Sequence, residues 1–72
     1  MEAFIRARRM CAGETPAERL RGVELMRTVP EDCRGRAVLV LRYLAASETD
    51  PALLRAIDRA LAACGEVEHV GR

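Results

Sequence analysis

The run Ala37-Val38-Leu39-Val40-Leu41-Arg42-Tyr43-Leu44-Ala45-Ala46 decides the fold of this chain, because only here do apolar residues dominate without a consistent polar side. Val38, Val40 and Tyr43 would suit a strand as well as a helix, and an apolar run of this length does not by itself separate the two. Its surroundings do. Pro30, Glu31 and Asp32 stand just upstream, and a first helical turn accommodates a proline and negative charge. No Gly or Pro falls between Arg36 and Ser47, so the segment outruns an ordinary strand, and no other stretch alternates apolar and polar residues to pair with it. The pattern predicts a helix over 30–47. Cys33, Ala37, Val40, Leu41 and Leu44 form one face, and Leu39, Tyr43 and Ala46 form a second. A helix apolar on nearly all sides needs neighbours on several of them.

Those neighbours are read on both sides of it. Upstream, Thr15-Pro16-Ala17-Glu18 places a Thr N-cap, a Pro at the first helical position and a Glu at the third, the pattern of a capping box. A helix therefore starts at Pro16 and runs to about residue 28, where Val29-Pro30 ends it, since the residue before a proline is pushed out of the helical region. Its apolar residues Leu20, Val23, Leu25 and Met26 are widely spread, and Gly22 in its interior marks either a close approach, a kink or a tolerated defect. Downstream, Asp50-Pro51 repeats the cap-plus-proline start. Residues 51–64 form an amphipathic helix with Leu53, Leu54, Ile57, Ala60, Leu61 and Cys64 on one face and Arg55, Asp58 and Arg59 on the other. A shorter helix over 2–12 carries Ala3, Phe4, Ala7, Met10 and Cys11 in one arc, with Ile5 opposite and Gly13 as its stop. The expectation is an all-α fold: a small bundle of three long helices, 16–28, 30–47 and 51–64, plus the short N-terminal one. Residues 1–65 make a single domain and 66–72, which lack periodicity, a flexible tail.

The last two helices resemble a helical-repeat unit of the HEAT type, in the pattern Arg36-Ala37-Val38 … Leu41 … Leu44 followed by Asp50-Pro51 … Leu54 … Ile57 … Leu61. The resemblance covers roughly half of the chain and implies an antiparallel helical pair. No second copy follows at a fixed period, and no functional residue is carried over from it.

Seventy-two residues with Phe4 and Tyr43 as the only aromatics offer modest apolar area to set against ordering entropy. Association with another chain is the natural remedy. All twelve basic residues are arginines, which, with the richness in Ala, Gly and Val, reads as the codon bias of a GC-rich genome. The net charge of +1 lacks the strong basic excess of most nucleic-acid binders. Charge is uneven, with nine arginines against six acids in residues 1–42 and three against five in residues 43–72. No segment approaches the ~18 apolar residues of a membrane span, and no apolar signal core is present. The three unpatterned cysteines suit a reducing compartment rather than a disulfide framework, so the cytoplasm is expected.

Chemistry-bearing residues are sparse. The single histidine, His69, lies in the tail, and Glu31 with Asp32 is explained by the helix dipole rather than as an acid and base pair. Cys11, Cys33, Cys64 and His69 include the ligand types of a zinc site, but no two cysteines stand two to four residues apart, and each lies on an apolar face. No catalytic residue, metal, cofactor or small-molecule ligand is expected. The composition points instead to a non-enzymatic protein-interaction or regulatory module: an adaptor, a small inhibitor of a larger protein machine, or a homodimer. The residues expected at its interface are Ile5, Leu25, Met26 and Val29, because Ile5, Leu25, Val29 and Leu39 are apolar positions that one simple core would struggle to cover together. The alternative is a nucleic-acid-binding regulator using Arg6, Arg8, Arg9, Arg19, Arg21 and Arg27 of the basic half.

Overall fold

A computed structural model describes residues 1–65. Residues 66–72, His69 among them, lie outside the described residues. Within residues 1–65 the chain is all-helical, with α1 over Glu2–Cys11, α2 over Pro16–Met26, α3 over Arg34–Ser47 and α4 over Pro51–Ala63. A 3-10 turn over Glu31–Cys33 leads into α3. The expected division into three long helices and a short one is corrected by the lengths, since α1 has 10 residues and α2 has 11, against 14 for α3 and 13 for α4.

The starts of α2 and α4 form as their side chains dictate. Thr15 Oγ1 accepts from the Glu18 N–H at 3.1 Å, and Asp50 Oδ1 accepts from the Ala52 N–H at 3.0 Å, each satisfying a donor that the first turn leaves open. The start of α3 differs from expectation. Pro30 is extended, at φ −58° and ψ 154°, and Cys33 N–H bonds to the Pro30 carbonyl at 2.8 Å as a 3-10 closure. No side-chain hydrogen bond caps α3, and regular α-helix begins only at Arg34, after the 3-10 turn.

Short connections make the helices alternate in direction. Arg36 Nη1 meets Met1 Sδ at 3.6 Å near one end of the bundle, while the Cys64 thiol meets the Met26 carbonyl at 3.6 Å at the ends of α4 and α2. Thus α1 and α3 run one way, and α2 and α4 the other. Helix α2 lies against both α1 and α4, α4 lies against α3, and α1 meets α3 only sparsely.

The core joins residues from every helix: Phe4, Ala7 and Cys11, then Val23 and Met26, then Ala37, Leu41 and Leu44, then Leu53, Ala56, Ile57 and Ala60. Val29 and Cys33 close it from the connection between α2 and α3. Gly22 resolves as a site of close approach. A Cβ built on it would stand 2.5 Å from the Cys11 backbone nitrogen and 2.9 Å from the Ala7 carbonyl oxygen, so α1 and α2 touch backbone to backbone there. Helix α1 ends just before Gly13, the expected stop, although Gly13 does not take a positive φ. Among the described residues the positive φ belongs to Gly65, at 90°, just past α4.

Candidate protein-docking groove

The second apolar face of α3 has no neighbour among the described residues. Leu39 is 67% exposed and Tyr43 79% exposed, values that stand out in a chain whose core residues fall below a tenth. These two residues are four apart and therefore stack on one ridge of the helix. Across from them runs the flank of α1 that carries Ile5 and Ala12. Because α1 packs closely on α2 through Gly22, it leaves a trough of about 880 Å³ between itself and α3. Val40 and Leu44 form the floor of that trough, with Ile5 on the α1 side and Leu39 and Tyr43 on the α3 side.

One end of the trough is closed by a clamp. Arg19 Nε donates to Glu48 Oε1 at 2.8 Å and Nη2 donates to Oε2 at 3.4 Å, while Nη1 donates to the carbonyls of Gly13 and Glu14 at 3.1 and 3.2 Å. Glu48 Oε2 also accepts from the backbone N–H groups of Thr49 and Asp50, both at 3.2 Å. The pair ties the α1–α2 connection to the α3–α4 connection. The Glu48 side chain is only 3% exposed, and the Arg19 guanidinium, first by its hydrogen bond, then the Asp50 and Thr49 donors, hold its carboxyl below the usual range against the opposing cost of burial.

The rim is basic. Three arginines, Arg8, Arg9 and Arg19, line the trough against one acid, Glu48, and Arg19 and Glu48 are spent on each other. Arg8 and Arg9 are exposed and form no ion pair among the described residues.

The structure corrects half of the expected interface. Met26 is fully buried and Val29 is 3% exposed, both inside the core. Helix α2 lies against α1 and α4, and Val23 and Met26 turn into the core that these helices share, so no external partner is needed to cover Met26. Ile5, 41% exposed, does lie on an open surface. Leu25 is half-buried at a separate shallow dimple with Leu20, Arg21 and Glu24 on the outer side of α2. Leu39, expected to be hard for one core to cover but not placed at the interface, and Tyr43, absent from that expectation, are the most exposed large apolar residues among those described. The second apolar face of α3 was itself the signal that could have found them.

The six arginines of the nucleic-acid alternative are not gathered on one surface. Arg8 and Arg9 edge the trough, Arg19 is locked in the clamp, Arg27 meets Glu24 at 3.5 Å, and Arg21 borders the dimple on α2. Arg6 is exposed and does not line the trough.

The cysteines are free thiols, with Cys11 and Cys33 buried and Cys64 half-buried. Burial pushes the Cys11 thiol up to about 11 and raises Cys64 as well. Among the described residues no three of His, Cys, Asp and Glu come together as a metal site. No helix among them is long and apolar enough to cross a membrane. Comparison with family models, curated proteins and solved structures finds no match to this chain.

Proposed function

We infer that this chain is a non-catalytic interaction module of the cytoplasm that binds another protein through the trough between α1 and α3. The observation that carries this reading is the bare ridge of Leu39 and Tyr43 beside an apolar floor. A small domain with two aromatics gains by covering such a ridge, and an uncovered apolar patch on a small protein marks a contact surface. Tyr also suits interfaces, since its ring contributes apolar area while its hydroxyl stays hydrogen-bonded. A role as adaptor or inhibitor follows from this reading, because the trough offers a place to hold a partner and no group positioned to transform one. Protein is favoured over nucleic acid by the apolar floor and by the dispersal of the arginines, two of which are occupied by carboxylates.

The test is site-specific photocrosslinking in cells. A photoreactive phenylalanine analogue replacing Tyr43 should yield discrete protein adducts. The same analogue at Arg55, on the outer side of α4, should not. Equal adducts from both positions, or none from position 43, would overturn the reading.

A further inference from the structure

The chemistry of the trough also narrows what fits it. We propose that its occupant is an acidic amphipathic helix of a partner protein, an inference that rests on the docking function above. The two sides of the trough are helices that run the same way. Along α3 the lining residues Leu39, Tyr43 and Ser47 recur every four positions, and along α1 Ile5 and Ala12 are seven apart. Ridges at these spacings receive the ridges of a further helix. From Leu39 to Ser47 the trough runs on the order of 12 Å, a little over two helical turns. Leu39 and Tyr43 stand too far out into solvent to form the walls of a pocket that buries most of a small ligand.

Charge selects the sign of the occupant. Arg8 and Arg9 edge the apolar floor on the α1 side, and the one carboxylate of the lining is already neutralised by Arg19. A helix with apolar residues at three- and four-residue spacing and Glu or Asp beside them would bury its apolar stripe on Val40, Leu44 and Tyr43 while its acids meet Arg8 and Arg9. A second copy of this chain is disfavoured on the same ground. A two-fold contact through this face would bring two copies of the basic rim into one interface, and like charges at an interface suppress pairing.

Tyr43 is the only tyrosine and the chain has no tryptophan, so its emission reports on this surface alone. The probes are two side-chain-bridged helices of about four turns with one apolar stripe, one flanked by Glu and the other by Lys, both free of Tyr and Trp. Bridging removes the marginal helicity of short peptides. The acidic helix should change Tyr43 emission saturably, bind at least tenfold more tightly than the basic one, and weaken with salt. Leu39→Asp should abolish binding without lowering the melting temperature, and Arg8→Glu with Arg9→Glu should reverse the preference between the probes.

Equal binding of both helices, or of neither, would overturn the proposal. So would a dimer in sedimentation that Leu39→Asp dissolves, which would make a second copy the occupant. Tighter binding of the acidic helix to a Val67→Asp chain would likewise overturn it in favour of the chain's own last residues. Discrete adducts from position 43 without binding of the acidic helix would leave the docking function standing and sink only the helix chemistry.

Discussion

Gly22→Ala and Gly35→Ala are the same substitution in two helices, and their effects should have opposite signs. Within a helix, replacing Gly by Ala gains up to about 1 kcal/mol. At Gly35 no atom lies within 4 Å of the added methyl, so that gain should appear as a raised melting temperature. At Gly22 the methyl would meet the Cys11 nitrogen at 2.5 Å, the Met10 carbonyl carbon at 2.8 Å and the Ala7 carbonyl oxygen at 2.9 Å. Non-bonded heavy atoms settle near 3.5–4.0 Å. All three obstacles are backbone, so no side chain can swing aside, and α1 must move off α2 by on the order of 1 Å. That motion loosens Phe4, Ala7 and Cys11 against Val23 and Met26, and overpacking of this kind costs about 1–3 kcal/mol or more. After the propensity gain, a net loss of about 1–2 kcal/mol is expected, which in a domain of this size lowers the melting temperature by roughly 5–15 °C. Circular dichroism at 222 nm during heating measures both variants. If Gly22→Ala melted at or above the parent, as Gly35→Ala should, the backbone contact between α1 and α2 would not exist as described.

Removing the clamp has a pH signature. The folded carboxyl of Glu48 lies below its ordinary 4.5, so its stabilisation is fully present above that value and is lost as pH falls through the lowered folded pKa. Glu48→Gln should therefore destabilise the chain at pH 7 by about 1–3 kcal/mol, discounted because Arg19 is 22% exposed. Its stability should also fall less steeply than the parent's below about pH 4.5, and an unchanged acid limb would mean that the pair contributes nothing. Leu41→Ala should cost about 2–5 kcal/mol, because Leu41 is wholly buried, whereas Leu39→Ala should stay within about 0.5 kcal/mol. Comparable losses from the two in chemical denaturation would contradict the assignment of faces on α3. Under native conditions near pH 8, Cys64 should be alkylated before Cys11 and Cys33, since both of the latter are buried and the Cys11 thiol is pushed up to about 11. Peptide mass mapping that found Cys11 modified first would show that α1 does not pack as described.

Order within single elements was legible in the linear chain because its causes are short-range. Thr15-Pro16 and Asp50-Pro51 satisfy donors two or three residues away, so the starts of α2 and α4 follow from a handful of neighbouring residues. The stripe of Leu53, Ile57 and Ala60 likewise reads directly as a buried face. The start of α3 was the exception, since Pro30, Glu31 and Asp32 suit an α-helical first turn as well as the 3-10 turn that forms.

Which apolar face meets a neighbour is a different kind of quantity, set by how many helices surround each one and at what distance. The spread of apolar residues on α2 and that on α3 look alike in sequence. Met26 of α2 turns into the core between α1 and α4, whereas α3 turns its second apolar face outward and exposes Leu39 and Tyr43. Gly22 reads equally as kink, defect or contact until α1 is set against it, and only then does the missing Cβ become a requirement. Arg19 looks like any exposed arginine until folding brings Glu48, 29 positions away, within 2.8 Å. These outcomes depend on pairings between segments remote in sequence, whose geometry is fixed by collective packing and not by the residues of either segment alone.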